Sequence, residues 1–500
     1  MDQAGHQWVG GVRRSGHGAV DEVLDPATGK VVSTDRLATV DDVDDAVRCA
    51  LEAQREWGAL PPSERSAALH RLAAELDGVS DDLARTETSQ TGKPIRLSTQ
   101  FDVPGTVDNT SFFAGAARLL SASASGEYSP DHTSAVRREP VGVVGSVAPW
   151  NYPLQMAAWK VLPAIAAGNA IVLKPSELTP LTSLMMAEAA QRAGIPDGVV
   201  NVVTGRGVDV GERLVSHPAV AMVSFTGSSA VGRRVMALAA SSAKRVHLEL
   251  GGKAPFVVHG DADLDAAVQG AVAGALINTG QDCTAATRAI VHRSLLEAFV
   301  SGVADVMANV RLGDPYDPAT DQGPLISLTH RERVASHVDH ARAEGAVVVR
   351  GGRAPAGDLA DGSYYEPTLV RDVTPDMAIW RDEVFGPVLT VTPFDTDDEA
   401  IALANDTPYG LAASVWTRDV VRATRATRQI QAGCVWVNDH IPIVSEMPHG
   451  GVKASGFGKD MSTYSLEEYT TIKHVMTDLT GVARKPWHRT VFATPATPNT

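Results

Sequence analysis

A chain of 500 residues exceeds the size at which one hydrophobic core usually keeps growing, so we expect two or three domains. Its 44% hydrophobic and 21% charged residues are typical of a globular α/β protein and exclude a disordered or collagen-like chain. The net charge of -15 argues against a nucleic-acid surface, which needs a basic face, and favours mild attraction of cationic small molecules.

Three cysteines, Cys49, Cys283 and Cys434, are far apart and odd in number, which fits neither a disulfide framework nor a CxxC metal site. The N-terminal sequence has no apolar run that could form a signal peptide, and no window reaches the ~20 apolar residues that span a bilayer. We therefore expect a soluble cytoplasmic protein with no nucleic-acid or membrane partner.

The first predicted helix covers residues 39–57, where apolar residues recur at helical spacing after four aspartates. Carboxylates near a helix N-terminus are stabilised by the helix dipole, so we interpret this acidic run as helix capping and not as a metal site. Cys49 falls within the helix, where it would pack.

From about residue 141 short β-branched runs alternate with small-residue helices, and a second stretch from about 254 to 435 repeats the alternation. This texture predicts two α/β domains with parallel sheets, whose ligands collect at the carboxyl ends of the strands. After residue 476 the sequence predicts a strand and then a loose tail. Helices are predicted over 154–168, 179–193, 263–277 and from 294.

The later segment LTHRERVASHVDHARAEG is a predicted helix with His330, His337 and His340 close to one face. Such a group could suggest metal ligands. The surrounding arginines and glutamates instead favour a solvated helix face, and we predict no metal.

Two glycine-rich segments are candidates for a dinucleotide. GRGVDVG, at 205–211, has three residues where the dinucleotide fingerprint has two before its last glycine, so the pattern alone indicates a turn that enters a helix. SFTGSSAVG follows an apolar run and opens a helix. There Gly227 would allow close backbone approach, and Ser228 with the free helix N–H groups would face a pyrophosphate.

The segment AIVLKPSE ends a predicted strand with Lys174 and Glu177 over the edge of the sheet. A carboxylate there accepts hydrogen bonds from both ribose hydroxyls and repels a 2′-phosphate, which favours NAD over NADP. That Lys174 and Glu177 form only an ordinary surface ion pair is an equally good interpretation of this segment.

Cys283 lies in the polar segment GQDCTAAT, after a predicted helix that ends near Asn278. A loop cysteine among small and polar residues is accessible to a substrate and can act as a nucleophile. A buried structural thiol is the alternative, and the residues of this segment alone leave both open.

In this order the segments resemble the NAD(P)-dependent aldehyde dehydrogenase superfamily, over residues from about 8 to 476. The motifs that carry the resemblance are APWNYP, KPSE, FTGS, LELGGK, GQDC, EVFGPV, PYGLAASVWT and WVN. The resemblance implies a homo-oligomer, with a tetramer favoured over a dimer. It also implies a Rossmann-like NAD-binding domain (1–121 and 141–253), an α/β catalytic domain (254–469), a small β oligomerisation extension (122–140 and 470–482) and a C-terminal tail (483–500).

The same resemblance implies that Cys283 attacks the aldehyde carbonyl, while the Asn151 amide holds the oxyanion and Glu249 activates the water that cleaves the thioester. Lys160 and Asp460 match the positions at which the superfamily passes the proton of Glu249 away from the active site. The implied NAD-binding positions are Val147, Pro149, Trp150, Lys174, Ser176, Glu177, Gly207, Gly211, Phe225, Thr226, Gly227, Ser228, Leu250, Gly251, Glu383 and Phe385.

A narrower resemblance, to bacterial γ-aminobutyraldehyde dehydrogenases, rests on FFAGAAR, GEY, HTS, APWNYPLQMAAWK, GQDCTAA, VSEMPHGG and GKDMSTY. It implies oxidation of 4-aminobutanal, formed in putrescine breakdown, to 4-aminobutanoate. The substrate ammonium needs carboxylate or aromatic partners. Asp102 is the expected carboxylate, and Glu446 is the alternative that could add negative charge. Gly105 departs from related plant enzymes, which carry an acid there. The implied tunnel residues are Phe101, Asp102, Tyr152, Trp159, Ile277, Asp282, Ile443, Glu446 and His449.

Other functions stay open at this point. Betaine aldehyde or a broader range of aldehydes could be the substrate. A CoA-acylating or esterase-type enzyme would use the same cysteine thioester, although the base Glu249 favours water as the acceptor. A catalytically silent relative is disfavoured by the intact set of Cys283, Glu249 and Asn151.

Overall fold

A computed structural model describes residues 5–120 and 125–492. Residues 1–4 and 121 of the predicted NAD-binding domain, 122–124 of the predicted extension and 493–500 of the predicted tail lie outside the described residues. The strands are β1 (Gln7–Val9), β2 (Val12–Arg14), β3 (Val20–Leu24), β4 (Val31–Arg36), β5 (Gly126–Ser129), β6 (His132–Pro140), β7 (Val143–Val147), β8 (Ala170–Lys174), β9 (Val200–Val203), β10 (Val220–Gly227), β11 (Arg245–Leu250), β12 (Ala254–Val258), β13 (Ala286–His292), β14 (Val347–Arg350), β15 (Thr368–Arg371), β16 (Val388–Phe394), β17 (Ala412–Trp416), β18 (Cys434–Val437), β19 (Gly456–Phe457) and β20 (Thr470–Asp478).

The helices alternate with these strands along most of the chain. They are α1 (Val40–Ala59), α2 (Pro62–Gly78), α3 (Ser80–Thr91), α4 (Ile95–Leu97), α5 (Val103–Ala116), α6 (Pro153–Ala166), α7 (Leu181–Arg192), α8 (Glu212–Ser216), α9 (Ser229–Ala240), α10 (Leu264–Leu276), α11 (Leu296–Ala308), α12 (Leu328–Ala343), α13 (Ala378–Arg381), α14 (Asp397–Asn405), α15 (Val420–Gln429) and α16 (Ser462–Glu468).

The acidic run at the start of α1 caps the helix, as predicted. Thr39 is the N-cap, and its hydroxyl accepts a hydrogen bond from the Asp42 N–H while the Asp42 carboxylate accepts one from the Thr39 N–H. This reciprocal pair satisfies two backbone donors that a helix N-terminus otherwise leaves unpaired. Cys49 is half-buried in this helix and packs against the core.

The first large sheet has eight strands in the order β19-β11-β10-β7-β8-β9-β1-β2. Its centre, from β11 to β9, is parallel, and β19, β1 and β2 pair antiparallel at the edges. Both β8 and the small-residue helix α6 are wholly buried, as expected for a parallel sheet with covered faces. The alternation of parallel strands and helices predicted from residue 141 is therefore confirmed for this sheet.

A second sheet has seven strands in the order β14-β15-β16-β13-β12-β17-β18, of which only β14 is antiparallel to its neighbour. A third, small sheet joins the strands β20, β6 and β5 antiparallel, with Thr470 opposite Pro140 and Asp478 opposite His132. The strand predicted after residue 476 begins earlier, because β20 covers Thr470–Asp478, which agrees better with the start of the predicted extension at residue 470. Its role in joining subunits, like the domain boundaries, stays a prediction.

The two-residue strand β19 belongs to the first sheet, although its residues fall in the segment assigned to the catalytic domain. Gly456 pairs with Glu249, and a Cβ on Gly456 would lie 2.1 Å from the Leu248 carbonyl oxygen. Only a residue without a side chain at its φ of 105° allows this close approach. The pairing carries the following residues, up to Asp460, under the first sheet.

In the described part of the chain, no helix combines the length and apolar character that crossing a bilayer requires. The same part holds no group of three histidine, cysteine or acidic residues arranged to bind a metal ion.

Candidate active site

The main cavity of the described structure, of about 400 Å³, lies at the carboxyl ends of β7, β10 and β11 and faces the loop before β13. Carboxyl ends of parallel strands are the usual ligand sites of such sheets. The cavity brings together residues that are far apart in sequence. The predicted site residues that line it are Phe101, Pro149, Trp150, Asn151, Tyr152, Trp159, Thr226, Gly227, Ser228, Glu249, Leu250, Gly251, Asp282, Cys283, Glu383, Phe385, Ile443 and His449.

The turn before Cys283 has an unusual backbone. Asn278 and Thr279 have φ values of 49° and 58°, in the left-handed region that side chains other than glycine rarely adopt. The Asn278 amide donates hydrogen bonds of 2.8 Å to the Asn151 carbonyl and 3.1 Å to the Gln281 carbonyl, which hold the turn. Backbone strain of this kind concentrates at functional sites.

Asp282 fixes the other side of the Cys283 loop. One of its carboxylate oxygens accepts hydrogen bonds of 2.6 Å from both the Thr284 N–H and the Thr284 hydroxyl. The other oxygen accepts a 2.7 Å hydrogen bond from the Tyr152 hydroxyl. Asp282 therefore orients the loop of Cys283 and also presents a carboxylate to the cavity.

Cys283 is half-buried at the cavity wall. Burial raises the pKa of its thiol well above the usual value, and the carboxylates of Asp282, Glu249 and Glu383 raise it further. The protonated thiol is therefore the resting form at neutral pH, and a thiolate nucleophile needs a base to form.

Asn151 lies between β7 and α6, next to the Cys283 loop. Its side-chain amide donates a 3.0 Å hydrogen bond to the Gln281 carbonyl. A side-chain amide has two N–H donors, so the second N–H of Asn151 can donate to an oxyanion on a group bound to Cys283.

Glu249 is buried near the end of β11, on the cavity wall. Burial raises the pKa of its carboxyl well above the ordinary value, and the neighbouring Asp460 carboxylate adds to the rise. A Cβ on Gly450 would lie 2.4 Å from the Glu249 Oε1, so the bare backbone of Gly450 closes over the carboxyl. A carboxylate base with a raised pKa suits proton abstraction near neutral pH.

Behind Glu249, the Lys160 ammonium donates a 2.7 Å hydrogen bond to Asp460, and both side chains are wholly buried. Burial raises the pKa of Asp460, although the Lys160 charge opposes the rise. Lys160 and Asp460 do not line the cavity.

The residues predicted to bind the cofactor cluster at the strand ends of the first sheet, beside the cavity. Val147 is in register with both Lys174 and Phe225, so these three strands end together. The Lys174 ammonium donates a 3.0 Å hydrogen bond to Glu177, and Ser228 caps the N-terminus of α9. Unpaired N–H groups of that helix terminus suit a phosphate.

Two further polar groups face the same side. The buried Thr226 hydroxyl has no hydrogen-bond partner among the described residues. The Glu383 carboxylate accepts a 2.9 Å hydrogen bond from the Gly252 N–H, and burial raises the pKa of Glu383 to about 7. A Cβ on Gly251 would lie 2.2 Å from the Glu383 Oε2, so a glycine is needed there. These groups fit a dinucleotide with a ribose near Glu383.

The chain matches the aldehyde dehydrogenase family over residues 12–475. It belongs to this family. Among solved structures, PnpE from Pseudomonas sp. WBC-3 is 38% identical, with a TM-score of 0.95 over 97% of this chain and 100% of that one. Betaine aldehyde dehydrogenase from Staphylococcus aureus in complex with NAD+ is 36% identical, with a TM-score of 0.94 over 96% of each chain. An NAD+ complex of aldehyde dehydrogenase from Bacillus cereus is 37% identical, with a TM-score of 0.93 over 96% of this chain and 97% of that one.

The aldehyde dehydrogenase fold is thus the fold of this chain, with the Rossmann-like sheet, the second α/β sheet and the small β sheet that the sequence predicted. Several predicted residues of the cofactor side lie outside the cavity lining. GRGVDVG forms a turn, Gly207–Gly211, that leads into α8, as its pattern alone indicated. The predicted cofactor residues outside the lining are Val147, Lys174, Ser176, Glu177, Gly207, Gly211 and Phe225.

Asp102 does not line the tunnel of this aldehyde dehydrogenase, and the expectation that it binds the substrate ammonium has to be corrected. It ends a π-helical turn, Ser98–Asp102, that directs it into the protein. There its carboxylate is fully buried and accepts a 2.6 Å hydrogen bond from Lys93. Ile277 and Glu446 also lie outside the lining, and Glu446 is exposed to solvent.

His330 lines the cavity, which the sequence did not predict. Its Nε2 lies 2.7 Å from the Phe385 carbonyl oxygen, and its ring packs edge-on against Trp150 at 5.4 Å between centroids. The segment around it is rich in arginine and glutamate, which favoured a solvated helix face. The histidine differs from these neighbours only in position, at the first turn of α12, so the pattern offered no signal for it.

Proposed function

We propose that this protein oxidises an aldehyde to a carboxylic acid, with NAD as the hydride acceptor and Cys283 as the covalent nucleophile. The observation that carries the proposal is that Cys283, Glu249 and Asn151 line one cavity, which continues to the strand ends of the first sheet. The NAD+ complexes of solved aldehyde dehydrogenases with the same fold support the choice of cofactor.

Residues of the cofactor side would hold the dinucleotide by three kinds of contact. The Glu177 carboxylate would accept hydrogen bonds from ribose hydroxyls, the N-terminus of α9 at Ser228 would bind a phosphate, and Glu383 would accept a hydrogen bond from the second ribose. When bound, NAD supplies the acceptor for the hydride that the substrate loses.

Chemistry on the substrate begins at Cys283. Because the thiol has a raised pKa, Glu249 first removes its proton. The sulfur then bonds to the aldehyde carbon, and the carbonyl electron pair moves to the oxygen, where the Asn151 amide and the Cys283 N–H stabilise the charge. Loss of a hydride from this adduct leaves a thioester on Cys283.

Water completes the reaction. Glu249 first passes the proton from Cys283 on to the buried Asp460 and is ionised again. It then takes a proton from a water molecule as the water oxygen bonds to the thioester carbon. The C–S bond then breaks, which releases the carboxylic acid and returns Cys283 as a thiolate. The buried pair of Lys160 and Asp460 lies behind Glu249 and would take the proton onward.

We further propose an ω-aminoaldehyde, 4-aminobutanal, as the substrate. The Asp282 carboxylate faces the cavity among the aromatic rings of Phe101, Tyr152 and Trp159, which together suit an ammonium group. Burial lowers the pKa of His449, which packs against Trp159, to about 4, so this histidine is neutral and does not repel a cation.

Betaine aldehyde is the second candidate, supported by the likeness to the Staphylococcus aureus enzyme of that name. A trimethylammonium group binds through aromatic faces and cannot donate a hydrogen bond to a carboxylate. The Asp282 carboxylate could therefore accept a hydrogen bond from the ammonium of 4-aminobutanal but not from the trimethylammonium group of betaine aldehyde.

The test is a kcat/KM panel of 4-aminobutanal, betaine aldehyde and butanal with NAD and with NADP, measured by NADH or NADPH absorbance. We expect activity with NAD that Cys283→Ala abolishes, and unchanged turnover in that variant would refute the mechanism. Product analysis with and without CoA separates the acid-forming reaction from CoA acylation.

Asp282→Asn tests the ammonium site, because asparagine can keep the hydrogen bonds to Thr284 while it removes the charge. We expect the KM for 4-aminobutanal to rise about 5- to 150-fold, as for a lost charged contact, while the KM for butanal stays near its original value. Glu446→Gln, at an exposed acid outside the lining, is the control. Equal effects on both aldehydes would remove the proposed ammonium site.

We also propose a cytoplasmic homo-oligomer, most simply a tetramer, joined through the sheet of β5, β6 and β20. Light scattering on the purified chain measures the oligomeric state. A monomer at micromolar concentration would contradict this part of the proposal.

A further inference from the structure

His247 is a fully buried histidine directly beneath the catalytic cavity. It lies on β11 two residues before Glu249, so both side chains point to the same face of the strand. Its Nδ1 shares a 2.9 Å hydrogen bond with the Ser224 hydroxyl of the neighbouring strand β10, where the two residues are in register.

The imidazole ring lies between two carboxyl groups. Its Nε2 is 3.9 Å from the Glu249 Oε1, and its Nδ1 is 3.9 Å from the Asp460 Oδ1. Among the described residues, the His247 Nε2, the Glu249 Oε1 and the Asp460 Oδ1 have no hydrogen-bond partner. Buried polar atoms are seldom left unpaired, and two of these three, the His247 Nε2 and the Glu249 Oε1, face each other, which marks a site where a hydrogen bond can form.

A distance of 3.9 Å is about 0.7 Å longer than a hydrogen bond, which a small rotation of the Glu249 carboxyl would close. Catalytic hydrogen bonds are often long before the substrate binds and shorten in the complex. A Cβ on Gly458 would lie 2.3 Å from the His247 Cδ2, so the backbone of Gly458 packs on the ring and prevents it from moving away.

The charged groups around this pair come from several elements. Burial lowers the pKa of His247 well below its usual value, and the nearby ammonium groups of Lys160 and Lys459 lower it further, so the ring is neutral. A neutral imidazole has one N–H donor and one acceptor nitrogen. The ionisable groups that face His247 or Glu249 are Lys160 of α6, Lys459 and Asp460 of the segment after β19, and Glu468 of α16.

The two tautomers differ in what they offer Glu249. With the proton on Nε2, the ring donates to the Glu249 carboxylate, and the Ser224 hydroxyl donates to Nδ1. With the proton on Nδ1, a lone pair of Nε2 would face the carboxylate oxygen, which is repulsive. Lys160 donates to the Asp460 Oδ2 and leaves the Oδ1 unpaired. The first tautomer therefore pairs the His247 Nε2 and the Glu249 Oε1, whereas the second pairs at most the Asp460 Oδ1.

We propose that His247 is a positioning residue for the catalytic base: its Nε2–H donates to the Glu249 carboxylate, and Ser224 holds the ring in that tautomer. This inference rests on the proposed function, because it assigns Glu249 the activation of the hydrolytic water. A hydrogen bond to the charged form favours that form, so His247 keeps Glu249 ionised at a lower pH than burial alone would allow.

The experiment separates the two halves of the reaction in the full-length enzyme with NAD and an aldehyde. Rapid mixing measures the first NADH formed, which reports acylation of Cys283, and the steady state reports thioester hydrolysis where that step limits turnover. Wild-type enzyme that forms no NADH from any aldehyde would refute the proposed function itself, before His247 is tested.

For His247→Leu we expect the pH at which hydrolysis reaches half its maximum to rise by about one unit, with hydrolysis at pH 7 about tenfold slower. Because Glu249 also takes the proton of Cys283, the pH profile of the first NADH turnover should shift in the same direction, and both rates should approach those of the wild type at high pH. His247→Gln, which keeps an N–H donor, should restore most of the profile.

His259→Gln is the matched control, because His259 is another buried histidine beside a carboxylate, Asp397, outside the cavity lining. If His247→Leu does not fold, Ser224→Ala decides, with a smaller shift in the same direction. An unshifted pH profile in these variants, or equal losses in both phases at unchanged pH dependence, would overturn the proposal.

Discussion

The Lys93 ammonium donates a 2.6 Å hydrogen bond to the Asp102 carboxylate, and both side chains are fully buried. Lys93 also lies 4.2 Å from the centre of the Tyr152 ring, so the pair supports a wall of the cavity from behind. Burial raises the pKa of Asp102 to about 6, although Lys93 opposes the rise. Removing one partner of a buried ion pair leaves an unpaired charge and typically costs about 3–5 kcal/mol.

We therefore expect Asp102→Ala to lower the thermal unfolding midpoint and to change the KM values of 4-aminobutanal and butanal by similar factors. Asp305→Ala, at an exposed aspartate of α11, is the control and should leave the midpoint nearly unchanged. If the Asp102→Ala enzyme is stable and its KM rises for 4-aminobutanal but not for butanal, Asp102 binds the substrate ammonium after all.

Arg288 stabilises the second sheet by a different arrangement. Its buried guanidinium donates hydrogen bonds of 3.0 Å to the carbonyls of Lys253 and Leu403 and 2.9 Å to that of Ala404, at the end of α14. It also stacks on the Trp380 ring at 4.5 Å. Because each orphaned buried carbonyl is costly, Arg288→Met should reduce the free energy of unfolding by at least about 3 kcal/mol.

Urea denaturation measures the Arg288→Met effect, and Arg288→Lys should recover only part of it because an ammonium cannot bond in the same fork. The control is Arg293→Ala, which breaks an exposed ion pair with Asp395 and should cost less than about 1 kcal/mol. If Arg288→Met and Arg293→Ala reduce the free energy of unfolding by similar amounts, Arg288 does not stabilise the protein through the carbonyls at the end of α14.

The raised pKa of Cys283 predicts slow alkylation at neutral pH. A raised thiol pKa means that the reactive thiolate is scarce at pH 7 and increases as the pH rises through and above pH 9, the ordinary value for a thiol. We expect the rate of iodoacetamide inactivation in the free enzyme to rise about tenfold per pH unit from 7 to 9. Mass spectrometry assigns the modified residue, and a rate that is flat over this range would show a thiolate already present at pH 7.

Local patterns predicted much of this fold because they are decided by neighbours in sequence. The capping of α1 by Thr39 and the alternation of strands and helices from residue 141 are of this kind. The inward direction of Asp102 depends on a π-helical turn and on Lys93, which no periodicity reveals. The pairing of Gly456 with Glu249 joins residues 207 positions apart, so the position of His247 over Asp460 could not be predicted from the pattern alone.

The choice between NAD and NADP gives the last prediction. Glu177 is partly exposed at the end of β8 and accepts a 3.0 Å hydrogen bond from Lys174. A carboxylate there would repel a 2′-phosphate, and its removal leaves the Lys174 ammonium to attract one. We expect Glu177→Gln to raise kcat/KM for NADP relative to NAD by about tenfold, equivalent to ~1.4 kcal/mol. Glu188→Gln, at a glutamate of α7 that pairs with Arg13, should leave this ratio unchanged. If the ratio of kcat/KM for NADP to that for NAD is the same in both variants, Glu177 and Lys174 form an ordinary surface ion pair, and the preference for NAD has another origin.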